Sequence, residues 1–526
     1  MPNSTICTWH FDPKKGSSCC ERHPRLEQCR RHPTRSGALL VERRKQRDER
    51  SELPPPTCSA AQLARVLSPR ASESGSIWVA DTSPLRHSLT DKFCADHASD
   101  KHRSWAPSDL CCWSVPYCAK QLRNATEPSP QLKRWRYSSA LPSGAALRRD
   151  LRRARSGADQ KSWADQKTWL HFVGDSQALA AFRAAVLLLG SNGRLTERGF
   201  GATRSLLVFE DDALRISRQE RTSLCVRRPQ LNLKDFCGAC TATQRPDYLF
   251  VVGGLWDVQD RSPDECARVL PAFADGLMSL MGRATKLVWI GALPRRHGTT
   301  RTLRNNALLA AFNDAAACAV ANLDASALPP IFIRSFEVLD AVRDLSTDGR
   351  HYPPYIMIDL VLVALTAATG RPAVAAAPQP RRWALRLIDG DVGSASVAPP
   401  AAGDDRPRLT LRAAAESPAR SGDLVYALCR AADERQAPAW RDVGGGAWEL
   451  SVRCSAVREY ECTLWRELKA ADRNRTVPRQ LWRTPKEAQL GALEQRYVDI
   501  GRAYWAAAPP ELHDKIAAAR VGCTPT

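Results

Sequence analysis

The sequence predicts an α/β protein: a three-layer α/β/α sandwich on a mainly parallel sheet, with a smaller β-rich domain at its C-terminal end. Between residues 161 and 375, apolar strand-like runs alternate with helix-like stretches, and this alternation implies parallel βαβ crossovers with helices on both faces. A Gly-Asp-Ser turn at residues 174–176 joins one such strand to the next helix. After residue 382, runs of alternating polarity between Gly, Pro and Asp turns replace the helical pattern.

The chain of 526 residues exceeds one typical hydrophobic core, so we expect two domains and flanking segments. Composition divides it into a poorly ordered basic arm (1–75), a Cys- and Trp-rich segment (76–160), the α/β domain (161–375) and an accessory domain (383–526). The accessory domain is predicted to be a β-sandwich with a helical tail at residues 485–507, which either binds carbohydrate or braces the α/β domain.

Individual elements follow from the spacing of apolar residues. Strands are predicted at residues 169–173, 205–209, 247–252, 286–290, 330–334, 383–388, 408–412, 423–428 and 447–453. Helices are predicted at residues 144–155, 177–189, 266–281 and 303–323. Open α/β sheets bind ligands at the carboxyl ends of their strands, so the residues that follow strands 169–173 and 247–252 are candidate site residues.

Ser176 lies in the turn between a predicted buried strand and a predicted helix. Unpaired backbone N–H groups and the helix dipole at such a turn favour an oxyanion, so a serine there is well placed to be a nucleophile. The alternative interpretation is structural, with Asp175 or Ser176 merely capping the helix.

A second polar stretch, residues 346–354, comes just before an apolar helix-like stretch. Here Asp348 and His351 stand three residues apart, so one carboxylate can hold one imidazole in a fixed tautomer. With Ser176 they provide a nucleophile, an orienting acid and a base. Taken alone, the same stretch is also compatible with a turn that carries a surface histidine.

Three stretches resemble the motif blocks of the GDSL/SGNH hydrolase superfamily: residues 172–177 (Phe-Val-Gly-Asp-Ser-Gln), 251–257 (Val-Val-Gly-Gly-Leu-Trp-Asp) and 348–351 (Asp-Gly-Arg-His). The most similar branch is the PC-esterase group, which includes plant trichome-birefringence-like polysaccharide O-acetyltransferases and sialic-acid O-acetyltransferase catalytic domains. The resemblance covers roughly residues 160–375. It implies an SGNH-type fold and a serine enzyme that forms an acyl-enzyme with O-acyl groups of a carbohydrate.

The resemblance leaves the reaction open. Water as the acyl acceptor gives an esterase, whereas a sugar hydroxyl gives a transferase, and the sequence identifies neither the glycan nor the acyl donor. A non-catalytic glycan-binding or scaffold protein that retains the fold is the competing hypothesis.

Residues near the nucleophile are also implied by the resemblance. In the plant branch the middle block carries an Asn two residues before the glycine, where this chain has Val252, which cannot donate a hydrogen bond. Backbone N–H groups of Ser176 and of the block's glycines could replace it, since glycine permits close approach. A side chain from the 190–204 loop is another source. The candidate oxyanion or substrate-binding residues are Asp175, Gly253 and Gly254.

The formal net charge of +20 would suit a polyanionic partner. The charge is spread along the chain, however, and no zinc-finger, helix-turn-helix or RNA-recognition motif accompanies it. We therefore attribute it to an arginine-rich composition and do not expect nucleic acid as a partner. An acidic glycan remains compatible.

Eighteen cysteines are many for a cytosolic enzyme, and no set has the spacing of a complete metal site. Disulfides in an oxidising compartment are therefore expected. Cys237 and Cys240 form a C-x-x-C that could be half a zinc site or a redox pair, but no second pair completes a ligand set. We predict neither a metal nor a cofactor.

Three N-x-S/T acceptor sites, at Asn3, Asn124 and Asn474, agree with a secreted protein or one in the lumen of the secretory pathway, such as the Golgi. No apolar run reaches 18 residues, so no transmembrane segment is predicted. Residues 1–20 lack the apolar core of a signal peptide, and we expect a targeting segment to be missing from a truncated amino terminus.

Overall fold

The chain forms three β-sheets in the computed structural model. The structure describes residues 58–68, 78–81, 134–137, 141–155, 167–190, 193–199, 205–226, 231–241, 243–260, 263–282, 284–295, 306–323, 328–343, 346, 351–352, 354–370, 383–391, 394–400, 406–413, 424–454, 456–467 and 513–526. Most of the predicted basic arm and the whole predicted helical tail lie outside these residues.

The helices within the described residues are α1 (Ala60–Val66), α2 (Gly144–Arg155), α3 (Ser176–Leu189), α4 (Leu233–Phe236), α5 (Asp257–Asp260), α6 (Pro263–Met281), α7 (Asn306–Ala321), α8 (Ser335–Asp340) and α9 (Pro354–Ala368). The strands are β1 (Trp78–Asp81), β2 (Arg134–Tyr137), β3 (Thr168–Gly174), β4 (Arg194–Gly199), β5 (Ser205–Glu210), β6 (Leu214–Glu220), β7 (Tyr248–Val252), β8 (Lys286–Ile290), β9 (Ile331–Ile333), β10 (Trp383–Asp391), β11 (Ala395–Ala398), β12 (Arg408–Arg412), β13 (Leu424–Arg430), β14 (Glu434–Gln436), β15 (Ala439–Gly444), β16 (Ala447–Ser451), β17 (Arg458–Glu467) and β18 (His513–Pro525).

The mixed sheet has seven strands in the order β4-β5-β6-β3-β7-β8-β9. Strands β6, β3, β7, β8 and β9 pair in parallel, whereas β4, β5 and β6 pair antiparallel. Central strand β3 is buried along its whole length, because helices cover both faces of the sheet. One helix layer contains α2, α3, α8 and α9, and the other contains α1, α4, α5, α6 and α7.

The other two sheets are antiparallel. The large antiparallel sheet has the order β10-β18-β17-β13-β14-β1-β2, and the small antiparallel sheet has the order β11-β12-β16-β15. Side chains from both contribute to one apolar core that includes Leu409, Trp448 and Tyr460. The two sheets therefore pack on each other as a sandwich.

The predicted fold class is wrong. The mixed sheet carries an antiparallel edge, and the other two sheets are antiparallel throughout, one of them as wide as the mixed sheet. Strand β6 was missed because Ser217, Arg218 and Gln219 occupy buried positions, so apolar periodicity does not reveal it. Strand β1 pairs with β2 and also with the C-terminal strand β14, and the pairing with β14 joins distant parts of the chain, which local patterns do not encode.

Five disulfides join cysteines within the described residues, which confirms the prediction of disulfides for these pairs and is compatible with a secreted or lumenal protein. They are Cys58–Cys318, Cys225–Cys266, Cys237–Cys240, Cys429–Cys462 and Cys454–Cys523. The C-x-x-C pair is thus bonded to itself and is not half of a zinc site in this structure. Within the part of the chain described, no helix is long and apolar enough to span a bilayer.

Candidate active site

Ser176 is the first residue of α3, immediately beyond the carboxyl end of β3. The turn that presents it depends on Gly174, whose φ of 149° is rarely adopted by other residues. A Cβ at Gly174 would also lie 1.7 Å from the carbonyl oxygen of Val252 on neighbouring β7. Only glycine therefore lets β3 turn into α3 beside β7, leaving the half-buried Ser176 at the sheet edge.

Asp175, and not Ser176, caps α3: its carboxylate accepts a 2.8 Å hydrogen bond from the backbone N–H of Gln177. The structural alternative for this turn thus applies to Asp175, and the Ser176 hydroxyl is not used for capping.

The Ser176 hydroxyl meets His351, with 2.7 Å between Ser176 Oγ and His351 Nε2. His351 precedes α9, and its carbonyl oxygen accepts a 3.0 Å hydrogen bond from the Ser346 hydroxyl. The next residue, Tyr352, is buried, and its hydroxyl donates to the carbonyl of Pro294 at 2.6 Å. Two polar contacts therefore hold the segment that brings the imidazole to Ser176. Asp348, the predicted orienting acid, lies outside the described residues.

The Asp175 carboxyl is buried beside this pair. Its Oδ2 has no hydrogen-bond partner among the described residues. Burial, and secondarily the charge of Asp257, raise the pKa of Asp175 from 3.8 to about 6; the Gln177 N–H, His351 and Arg218 act in the opposite direction. The site thus contains a carboxyl that is neutral in mildly acidic solution.

Gly253 and Gly254 follow β7, whose last residue, Val252, pairs with Gly174 of β3. The two predicted motif blocks therefore lie side by side. A Cβ on Gly253 would sit 3.6 Å from Asp175 Oδ2, and one on Gly254 (φ 118°) would overlap the Phe312 ring at 2.2 Å. The side chain of Val252 is fully buried in the apolar core, so at this position only the backbone could supply an oxyanion donor.

Two further residues shape the site. Buried Arg218, on β6, donates to the carbonyl oxygen of Asp175 at 3.2 Å. Asp257 accepts hydrogen bonds from the Ser223 hydroxyl and from the backbone N–H groups of Leu224 and Cys225, at 2.7–3.0 Å. Arg218 was not predicted as a site residue, because its strand was not predicted. Asp257 closes the middle motif block, which is the signal that could have identified it.

A buried histidine on β3 serves the fold. His171 Nε2 lies 2.6 Å from the carbonyl oxygen of Phe236, and its Nδ1 lies 2.7 Å from the Ser217 hydroxyl, which is also 2.7 Å from Trp169 Nε1. A carbonyl only accepts, so Nε2 carries the proton and Nδ1 accepts from Ser217. Burial lowers the pKa of His171 from 6.5 to about 4, which keeps the ring neutral.

Possible metal ligands group together at one place among the described residues, Cys225, Asp257 and Cys266. The two sulfur atoms of this group are bonded to each other. A disulfide sulfur is not the thiolate that a metal binds, so these residues do not form a metal centre.

No family model matches the chain, and no curated protein matches it. The solved structures that are similar to part of it include two with low scores. A DUF4886 family protein from Bacteroides uniformis is 13% identical with a TM-score of 0.27, covering 41% of this chain and 88% of its own. Toc33 from Arabidopsis thaliana, in complex with GDP and Mg²⁺, is 12% identical with a TM-score of 0.21, covering 43% and 94%. Scores this low carry no argument about fold or function.

Proposed function

We propose that the chain is a serine enzyme that removes or transfers O-acyl groups, above all acetyl groups, on a carbohydrate. The observation that carries the proposal is the 2.7 Å separation of Ser176 Oγ and His351 Nε2. It lies within the 2.6–3.2 Å range in which a base takes a proton from a nucleophile. The pair lies at the carboxyl end of a central parallel strand, where ligands of α/β sheets bind.

In the proposed reaction Ser176 Oγ attacks the acyl carbonyl carbon while His351 Nε2 takes the hydroxyl proton. The bond between the carbonyl carbon and the leaving oxygen then breaks, His351 returns the proton to that oxygen, and Ser176 remains acylated. Water or a sugar hydroxyl next attacks the acyl-enzyme, with His351 again taking the proton and returning it to Ser176. Water gives hydrolysis and a sugar hydroxyl gives transfer.

Backbone N–H groups would stabilise the oxyanion in this reaction. The N–H groups in the first turn of α3 have no intrahelical partner, and the Asp175 carboxylate takes the one of Gln177. We assign the oxyanion to the N–H of Ser176 and to that of Gly253 or Gly254 on the adjacent strand end. These donors would replace the side chain that Val252 does not supply.

Carbohydrate as the acyl carrier rests on the resemblance of the three motif blocks to the PC-esterase branch. The disulfides support an oxidising compartment, and we place the enzyme in the Golgi lumen or outside the cell.

Fluorophosphonate labelling tests the nucleophile directly in the full chain made in a secretory host. We expect the wild type to be labelled and to hydrolyse nitrophenyl acetate, and Ser176→Ala to do neither. Ser279→Ala is the matched control, because this serine is exposed on α6 and its hydroxyl donates only to the carbonyl of Asp275. A wild type that shows neither labelling nor turnover contradicts the proposal.

Glycan binding without catalysis is the second candidate function, and the fully buried Val252 at the position of the family's Asn favours it. Under this alternative, Ser176→Ala leaves binding to a glycan array unchanged. Because a serine enzyme also binds its substrate without its nucleophile, labelling and turnover of the wild type separate the two functions: the enzyme shows both, whereas the binding protein shows neither and still binds the array.

A further inference from the structure

We infer that the large antiparallel sheet positions His351, through Tyr426 and the Arg343 guanidinium that stacks on it. The inference rests on the proposed function for the role of His351 as base. It assigns Tyr426, on a strand remote from the reacting atoms, as a positioning residue.

Strand β13 uses both of its faces. Val425 and Ala427 point into the core shared by the two antiparallel sheets. Leu428 instead belongs to the apolar core that contains α3, α8 and α9 of the mixed sheet. Successive side chains of a strand alternate between faces, so buried Tyr426 shares the face of Leu428. The large antiparallel sheet therefore presents Tyr426 toward the helices around the site.

The residue that Tyr426 meets is Arg343, which follows α8 and is 1% exposed. Its guanidinium carbon lies 4.1 Å from the centroid of the Tyr426 ring, and one guanidinium nitrogen lies 3.3 Å from the Asp340 carboxylate. A charge this deeply buried is costly unless its contacts have good geometry. The aromatic face and the carboxylate together fix Arg343, and with it the backbone after α8.

From Arg343 a short series of hydrogen bonds leads to the proposed base. The carbonyl oxygen of Arg343 accepts from the backbone N–H of Ser346 at 3.1 Å. The hydroxyl of Ser346, itself buried, donates to the carbonyl oxygen of His351 at 3.0 Å. His351 Nε2 then lies 2.7 Å from Ser176 Oγ. Each of these contacts has the length of an ordinary hydrogen bond, so movement at Arg343 is passed to the imidazole.

The same sheet also holds the helices before and after His351. The Trp78 indole on β1 donates to the carbonyl oxygen of Val338 in α8 at 2.7 Å. The backbone N–H of Tyr137 on β2 donates to Asp359 in α9, also at 2.7 Å. His351 lies between these helices, so both ends of its segment are attached to the large antiparallel sheet.

The test compares three variants of the full chain: Tyr426→Leu, which removes the ring; Tyr426→Phe, which keeps it; and Tyr460→Leu, the matched control. Tyr460 is also a buried tyrosine of the large antiparallel sheet, but it faces the core shared with the small sheet. The readouts are kcat and KM for nitrophenyl acetate, and hydrogen exchange of the peptide spanning residues 341–353, below the unfolding temperature of every variant.

We expect Tyr426→Leu to lower kcat by about 10–10²-fold with KM little changed, because misplacing a base by about 1 Å costs this much. Exchange of the 341–353 peptide should become faster. Tyr426→Phe should restore both readouts. Tyr460→Leu should lower the unfolding temperature and leave both readouts at wild-type values, which a merely structural role of Tyr426 would not predict.

Unchanged kcat and exchange in Tyr426→Leu, or an equal effect in Tyr460→Leu, would overturn the inference. If Tyr426→Leu does not fold, Ser346→Ala removes the hydrogen bond nearest His351 and should speed hydrogen exchange of the same peptide. Unchanged exchange in Ser346→Ala would also contradict the inference. A wild type without turnover removes the proposed function. Hydrogen exchange of residues 341–353 then decides by itself whether the large antiparallel sheet holds this segment in place.

Discussion

The two seven-stranded sheets differ in how they contribute to the site. In the mixed sheet, parallel β3 and β7 end at the same edge, so Ser176 and Gly253 emerge side by side. In the large antiparallel sheet, neighbouring strands end at opposite edges, and the contribution comes from the face of β13 that carries Tyr426. Parallel strand ends gather reactive groups, whereas an antiparallel face provides a surface against which a loop is fixed.

The largest expected effect lies at the mixed sheet. Ser176→Ala and His351→Ala should each lower kcat by about 10⁴–10⁶-fold, and the double variant should be no worse than either alone, because a nucleophile and its base act as a unit. Steady-state kinetics on nitrophenyl acetate measure this. Additive losses would mean that the two residues act independently and would contradict the assigned pair.

Asp348→Asn should have the next largest effect, a fall in kcat of about 10²–10⁴-fold that is milder than that of Ser176→Ala. An amide spoils the tautomer and orientation of the imidazole but leaves the nucleophile present. Fluorophosphonate labelling should slow in parallel. Wild-type kinetics in this variant would show that a different group orients His351.

Disulfide removal compares the stability of the two regions. The Cys454–Cys523 disulfide closes a loop of 69 residues and ends at β18. Replacing both cysteines with alanine should lower the free energy of unfolding by about 4 kcal/mol, because the unfolded chain gains entropy. Cys237–Cys240 closes a loop of only three residues, and its removal should cost roughly half as much. Urea unfolding of both double variants ranks them. A larger loss on removing Cys237–Cys240 would show that this disulfide stabilises the region of the site by more than its loop length implies.

The smallest effect concerns Asp175, whose pKa in the fold is about 6 against 3.8 for an ordinary aspartate. The folded state therefore binds more protons than the unfolded state between these values, and stability falls as pH rises through 6. Asp175→Asn removes this cost and keeps an oxygen for the Gln177 N–H. It should stabilise the protein by about 1–3 kcal/mol at pH 8 and by nothing near pH 3.5. Urea midpoints at both pH values measure it; equal gains at both would exclude ionisation as the cause.

Sequence patterns revealed those parts of the fold in which burial follows local periodicity. Strand β8 and helix α2 have the predicted bounds, because β8 is the short continuous apolar run of a buried strand and the apolar residues of α2 recur at the spacing of a helix. Strand β4 was placed in a loop because its sequence is polar, as suits an edge strand. The pairing of β1 with β14 could not be foreseen, since it depends on which distant edge is left open.

The site divides in the same way. Ser176 and His351 were predicted from short polar stretches at the ends of apolar runs, and the structure brings them together. The contacts that hold them, such as Arg218 with the Asp175 carbonyl and Arg343 with Tyr426, join separate elements and leave no local pattern. An arginine in an arginine-rich chain gives no indication that it will be buried.

The pairing of Val79 with Glu434 has a consequence during synthesis on the ribosome. Ribosomes add about 5–20 residues per second, so the edge of β1 that pairs with β14 waits roughly 20–70 s before β14 is made. Cys58 waits for Cys318, 260 residues further along, for much of that time. Throughout this interval an unpaired strand edge and an unpaired thiol are both exposed to other chains and to nearer cysteines. We therefore expect a chaperone that shields the nascent N-terminal segment, and an isomerase that undoes premature disulfides, to raise the yield of folded protein.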